Sequence, residues 1–435
     1  MDKLRAKVAK WPYGLQSVLA ALAAFGAYTS MYAFRKGFTA GTYTGSQYFH
    51  IDYKVWLVIA QIIGYTASKF YGIKFISELK PGQRAKSILG LIGIAWLALL
   101  LFAIVPAPYN IVFLFINGFP LGLIWGLVFG YLEGRKSTEF MAAVLSISLI
   151  FASGFVKTIA RTLMSSLHVN EYMMPFYTGA IFVIPLLLFV FFLELMPPPT
   201  EEDLRLRTKR LPMDAAERKS FLQQFMPGII LTLIIYVLLT IMRDVRDNFE
   251  VEIWASLGVK DNTIYTRIDS IISIAVLVAM SLLILIKHNL KAFSVIHVMI
   301  ILGCLLIGVG TILFVLHIIP PMVWMTFAGL GLYLGYVPYN AVFFERLLAS
   351  FHYKGNVGFL IYVADSMGYL GSVSVLLIKE LGHPDISWGT FFRQSVMIVA
   401  VMGGISATLS LLYFRRIARK KNSNKEQSTL NIFPA

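Results

Sequence analysis

Twelve stretches of about twenty apolar residues, each bounded by charged residues, Pro or Gly, decide what this chain folds into. A helix needs about 20 such residues to cross the hydrocarbon core of a bilayer, and there it satisfies its backbone N–H and C=O groups within itself. The stretches fall at 13–38, 55–77, 87–104, 110–131, 140–164, 174–195, 225–248, 263–286, 295–317, 322–344, 357–378 and 390–414. Only 14% of the 435 residues are charged, against about 25% in soluble domains. The chain reads as an all-α integral membrane protein. Its first block follows Lys3, Arg5, Lys7 and Lys10, as a signal peptide would. The apolar run exceeds the roughly 7–15 residues of a signal core, so it is read as a transmembrane helix.

The longest polar interruption, 197–220, divides the spans six and six. With the N-terminus inside, 26 of the 38 Lys and Arg residues lie on inner segments, and the outer loops PAPYN and HIIPP carry none. By the positive-inside rule both termini are expected in the cytoplasm, in an inner or plasma membrane. The expected organisation is an N-terminal six-helix half over 1–196 and a charged cytoplasmic linker over 197–222. A second six-helix half follows over 223–415, then a basic, disordered cytoplasmic tail over 416–435. The net charge of +15 becomes a cytoplasmic collar facing anionic lipid. Cations scattered over inner loops do not suit nucleic acid. A monomer is expected.

Internal repeats support two related halves. Residues 29–38, TSMYAFRKGF, align with 240–249, TIMRDVRDNF, at an offset of 211, sharing Thr, Met, Arg and Phe. Gly118 and Gly122 align with Gly331 and Gly335, and Gly154 with Gly368, at nearly the same offset. Each match joins span n to span n+6. Parallel six-helix repeats describe the major facilitator architecture, whose substrate site lies at mid-depth between the halves. The expected fold is thus twelve transmembrane helices in two pseudo-symmetric halves.

Charges inside spans are costly and each needs a reason. Arg35 and Lys36 lie in span one, Lys69 near the middle of span two, and Lys157 and Arg161 four apart on span five. Arg243, Asp244, Arg246 and Asp247 close span seven, Arg267 and Asp269 open span eight, and Asp365 sits mid-way along span eleven. Some have plain readings. Arg35 and Lys36 could snorkel, Arg243 and Asp247 are i,i+4 partners, and Lys157 and Arg161 could reach outer headgroups. The repeat, however, places Arg35 and Arg246 opposite each other. Two guanidiniums in one cavity with few carboxylates nearby would repel until an anion bridged them, and Arg suits phosphate or carboxylate. Lys69 could complete the pocket, and Tyr32, Tyr333, Tyr336 and Tyr339 could line it. Asp365 is either a counter-ion to Lys69 or an arginine, or a proton carrier.

YAFRKGF at 32–38 resembles the span-one signature of the organophosphate:phosphate antiporters, a branch of the major facilitator superfamily. GYTASKFYG at 64–72, GIKFISE at 72–78 with Lys80 and Arg84, and SMGYLGS at 366–372 are similar to that branch or its superfamily in spans two and eleven and the inner loop between spans two and three. The resemblance implies an antiporter in which Arg35 and an arginine of span seven clamp phosphate, with Lys69 nearby. The branch's Tyr-x-x-Arg spacing permits Arg243; the internal repeat prefers Arg246, which is favoured here. Lys36 is an auxiliary or interfacial charge. The sequence departs from the branch at span five, where no His occurs between Phe140 and Met164 and Leu149 stands near the expected position.

Gly118, Gly122, Gly126 and Gly130 form a small-residue ladder expected to pack span four tightly within its half. Pro120 and Pro338 are expected to loosen spans four and ten. No phosphate-binding loop, HExxH or catalytic triad is present, and Cys304 is the sole cysteine. No enzyme, cofactor or metal is expected. The expected function is secondary active transport of a small organic anion, phosphate or a phosphate ester, by alternating access. A transporter-fold solute sensor and a proton-coupled symporter of another small solute are the alternatives.

Overall fold

A computed structural model of the chain describes residues 2–79, 81–201, 203, 215–351, 358–382 and 385–430. A short helix α1 (Asp2–Ala9) precedes six long ones: α2 (Tyr13–Lys36), α3 (Tyr53–Glu78), α4 (Arg84–Ile104), α5 (Ile111–Phe129), α6 (Thr138–Leu167) and α7 (Met174–Glu194). The second set comprises α8 (Ala215–Ser256), α9 (Ile264–Ile284), α10 (Asn289–Val315), α11 (Pro321–Pro338), α12 (Phe344–Ser350), α13 (Gly358–Gly382), α14 (Trp388–Ile398) and α15 (Gly404–Leu430). A two-stranded antiparallel hairpin, β1 (Gln47–Tyr48) and β2 (Ile51–Asp52), joins α2 to α3.

Ten helical segments among the described residues are long and apolar enough to cross a membrane. The stretches expected at 55–77 and 357–378 also fold as helices, α3 and α13, and are not among those ten. Two boundaries differ from expectation. Helix α8 begins well before residue 225 and departs from helical geometry at Phe249 (φ −118°, ψ 21°). Helix α15 continues to Leu430, so the segment expected to be a disordered tail is helical that far. The last residues of the tail, 431–435, and much of the expected linker, 202 and 204–214, lie outside the described residues.

Helix α10 shows why such segments fit a membrane. Ile296, Ile300, Gly303, Cys304 and Ile307 are buried, while Val298, Leu302, Leu305, Val309 and Ile312 are exposed. It is apolar on both faces, one for the protein core and one for lipid.

Close helix pairs are set by glycine. A Cβ at Gly64 would run into the Phe115 carbonyl oxygen, and one at Gly118 into that of Gln61, so α3 and α5 meet backbone to backbone. Gly303 and Gly331 do the same for α10 and α11. The ladder is thus used at Gly118 and Gly122 for packing within the first set of helices. Between the sets, α6 packs on α9, where Gly154 lets the Tyr265 carbonyl approach, and α3 packs on α13.

Two spans carry a π-helical turn: Tyr339–Phe343, directly after Pro338, and Val399–Gly403 between α14 and α15. Proline lacks the N–H that would continue the ladder and crowds the preceding turn, and π turns often mark functional places. At the start of α2, Asp203 accepts from the Tyr13 hydroxyl at 3.0 Å and, from the loop before α6, the Lys136 backbone N–H at 2.8 Å. Burial alone would raise its carboxyl, but hydrogen bonds from the Thr200 and Lys136 backbones hold it below the usual carboxylate range.

Candidate functional site

Helical spacing assembles one polar cavity of about 110 Å³ between the two sets of helices. Helix α2 supplies Tyr28, Tyr32 and Arg35 on successive turns of one face. Helix α3 adds Tyr65 and Lys69, four apart; α8 adds Arg243, Asp244 and Asp247. Helix α11 contributes Tyr333 and Tyr336, and the π turn after it Asn340. Asp365 and Tyr369, four apart on α13, close the ring with Trp125, Ser146, Leu149 and Ile361.

The guanidinium of Arg35 lies 4.0 Å from the Tyr65 ring centre and 5.6 Å from that of Tyr32. Aromatic faces attract a cation without neutralising it. Among the described residues no carboxylate pairs with Arg35, and its buried Nε has no hydrogen-bond partner. The other cavity cations are matched. Arg243 pairs with Asp244 at 2.5 Å while lying 4.1 Å from the Tyr336 ring. Lys69 lies 3.7 Å from Asp365, which also accepts from the Tyr236 hydroxyl. Ser372 donates to Asp244 at 2.8 Å.

Asp247 touches the cavity with one side and a buried ionic layer with the other. Lys36 reaches it at 2.8 Å and Lys157 at 3.3 Å, and the Ser153 hydroxyl donates to it. Lys36 also donates to Asn248 at 2.6 Å. Lys157 continues to Glu250 at 2.8 Å, and Arg246 joins Glu250 at 3.5 Å to Asp269 at 2.6 Å. Lys54 pairs with Glu252 at 2.5 Å. The lysines come from α2, α3 and α6 and their acids from α8, so this layer ties one helix set to the other. At the opposite end Arg346 meets Glu139 at 3.1 Å.

The expected site residues therefore separate. Arg35, Lys69, Arg243, Tyr32 and Asp365 line the cavity. Arg246, preferred from the internal repeat, does not: it is fully buried against Asp269 and Glu250. Lys36 is likewise taken up by Asp247 and Asn248 rather than facing the cavity or an interface. Arg243 pairs with its neighbour Asp244, not with Asp247, and Lys157 is buried rather than reaching headgroups. Tyr333 and Tyr336 line the cavity, while Tyr339 does not and keeps its hydroxyl buried without a partner. The expectation of few carboxylates fails, since Asp244, Asp247 and Asp365 all reach the lining. The residues missed were chiefly Tyr28, Tyr65 and Tyr369; their i,i+4 spacing from Tyr32, Lys69 and Asp365 was the available signal.

The sequence signature described as "Family of unknown function (DUF5690)" matches residues 37–417. The chain belongs to that family. Among solved structures, this DUF5690 member is similar to one titled "Crystal structure of D-xylose-proton symporter", with a TM-score of 0.60 and 15% identity. The match covers 92% of this chain and 97% of the other. The DUF5690 chain thus has the major facilitator fold. No curated protein matches it in sequence.

Proposed function

We propose that the chain is a secondary active transporter that carries a small organic anion by alternating access. The observation carrying this reading is Arg35, a cation at the central cavity that no carboxylate among the described residues neutralises. Removing a charge from water is costly unless it is paired, and an anion from solution would supply the pair. The cavity lies between two helix sets tied by separable ion pairs, as a rocking mechanism needs. In this reading twelve spans form two pseudo-symmetric halves in a cell membrane, with both termini cytoplasmic. The basic collar faces anionic lipid, and the monomer is the working unit. Phosphate or a phosphate ester is the substrate the span-one resemblance suggests, in exchange.

The test is counterflow in proteoliposomes. Vesicles loaded with phosphate or a small organic acid are given the labelled solute outside, and wild type is compared with Arg35→Ala and Arg243→Ala. Uptake abolished by Arg35→Ala supports the reading. Binding without flux in the wild type would make the protein a sensor.

A second reading has its own observation. Asp365 lines the cavity beside Lys69 and Tyr236, where a proton could be exchanged on carboxylate or lysine. The similar D-xylose-proton symporter structure is in keeping with proton coupling of a neutral solute. Uptake driven by an imposed pH gradient and lost in Asp365→Asn would favour it over anion exchange.

A further inference from the structure

We infer that the cavity selects monoanions, and that its preferred substrate is a small monocarboxylate rather than a dianionic phosphate ester. This rests on the anion-transporter reading and narrows it. The charges on the lining fix the selection. Arg243 is matched by Asp244 at 2.5 Å and Lys69 by Asp365 at 3.7 Å. Asp247 is matched by Lys36 from behind the cavity wall, and Lys157 beside it by Glu250. Among the described residues the site therefore presents one net positive charge, that of Arg35.

A monoanion brings the site to neutrality. A dianion leaves one negative charge among three fixed carboxylates, and at close range in a poorly solvated site like charges repel strongly. Size points the same way. The cavity of about 110 Å³ is smaller than the engineered cavity of about 150 Å³ that holds benzene, so it holds an acid of a few heavy atoms. Chemistry agrees: a planar guanidinium offers two parallel N–H donors to a carboxylate. The surrounding Tyr28, Tyr32, Tyr65 and Tyr336 provide an apolar wall with hydroxyl donors for a short organic body.

The experiment uses the full chain in proteoliposomes with acetate, pyruvate, succinate and glycerol phosphate as probes, each tested as a competitor and as a counterflow substrate. Wild type is expected to exchange acetate or pyruvate and to be indifferent to succinate and glycerol phosphate. Freeing a second cation should change this. Asp244→Asn, which keeps the shape and the Ser372 contact while releasing Arg243, is expected to strengthen succinate competition by about tenfold or more. Asp365→Asn, which removes the carboxylate beside Lys69, provides a second test should the first variant fold poorly. Wild type that exchanges succinate or glycerol phosphate as readily as pyruvate overturns the monoanion inference and leaves the anion-transporter reading standing. An unchanged succinate response in both folded variants also overturns it. Wild type that exchanges no anion of either charge overturns the transporter reading itself.

Discussion

Two arginines that the internal repeat aligns, Arg35 on α2 and Arg246 on α8, have opposite situations, and their substitution should have opposite consequences. Arg246 is sealed between Asp269 and Glu250, so removing it strands the buried carboxylate of Asp269 and leaves Glu250 to Lys157 alone. We predict that Arg246→Ala lowers stability by about 3–5 kcal/mol, seen as a fall in melting temperature of the purified protein. Arg35 has no carboxylate to strand. We predict that Arg35→Ala melts within a degree or two of wild type, or slightly higher, yet loses exchange. A destabilised, transport-competent Arg35→Ala would remove it from the site. The sequence carried part of this distinction. Arg35 and Lys69 were legible because an intramembrane charge demands a partner and none stood near them in the chain. Arg246 was misread because alignment of the repeats places backbones, while the acids that claim its side chain lie beyond the aligned segment, Glu250 being one turn further along α8. Asp269 lies one helix away, and nothing local to 240–249 announces it.

At the level of single helices, glycine and proline divide the work between rigid and yielding parts. The α3–α5 contact leaves no room for a methyl group at Gly118, where the Gln61 carbonyl oxygen stands in the way. Gly118→Ala should therefore cost about 1–3 kcal/mol through forced separation of the pair, measured by thermal melting. Span ten is the yielding part. Pro338 is followed at once by the π turn that carries Asn340 into the cavity. We predict that Pro338→Ala slows the maximal transport rate several-fold with little change in KM, because the helix regains regular bonding and resists bending. An unchanged rate would assign Pro338 to packing alone. The existence of all these helices could be read directly, since a long apolar block in lipid has few other choices. Their ends could not: α8 and α15 run on into polar sequence, where hydrophobicity ceases to mark a boundary.

For the whole molecule, the seam between the two helix sets is densely ionic on one side of the cavity. The pairs Lys36–Asp247, Lys54–Glu252 and Lys157–Glu250 hold α2, α3 and α6 to α8, whereas Arg346–Glu139 joins the sets at the far end. Weakening the dense side should populate the state open there. In a Cys304→Ala background a cysteine at Ser146 would report this. With both termini cytoplasmic, as proposed, we predict faster labelling by a membrane-impermeant maleimide added outside when Lys36→Gln and Lys54→Gln are combined, and equal labelling would show that these pairs do not hold the seam closed. The unmatched guanidinium of Arg35 also has an electrical consequence. In the proposed mechanism an empty carrier would rock with one uncompensated positive charge, and one loaded with a monoanion with none. Membrane voltage acts on charge displaced through the field, at about 2.3 kcal/mol per elementary charge per 100 mV for a full crossing. Voltage should thus bias the resting orientation of the empty protein while leaving one-for-one exchange indifferent to it. Electrode recordings would then find silent exchange and a small capacitive current when substrate first arrives.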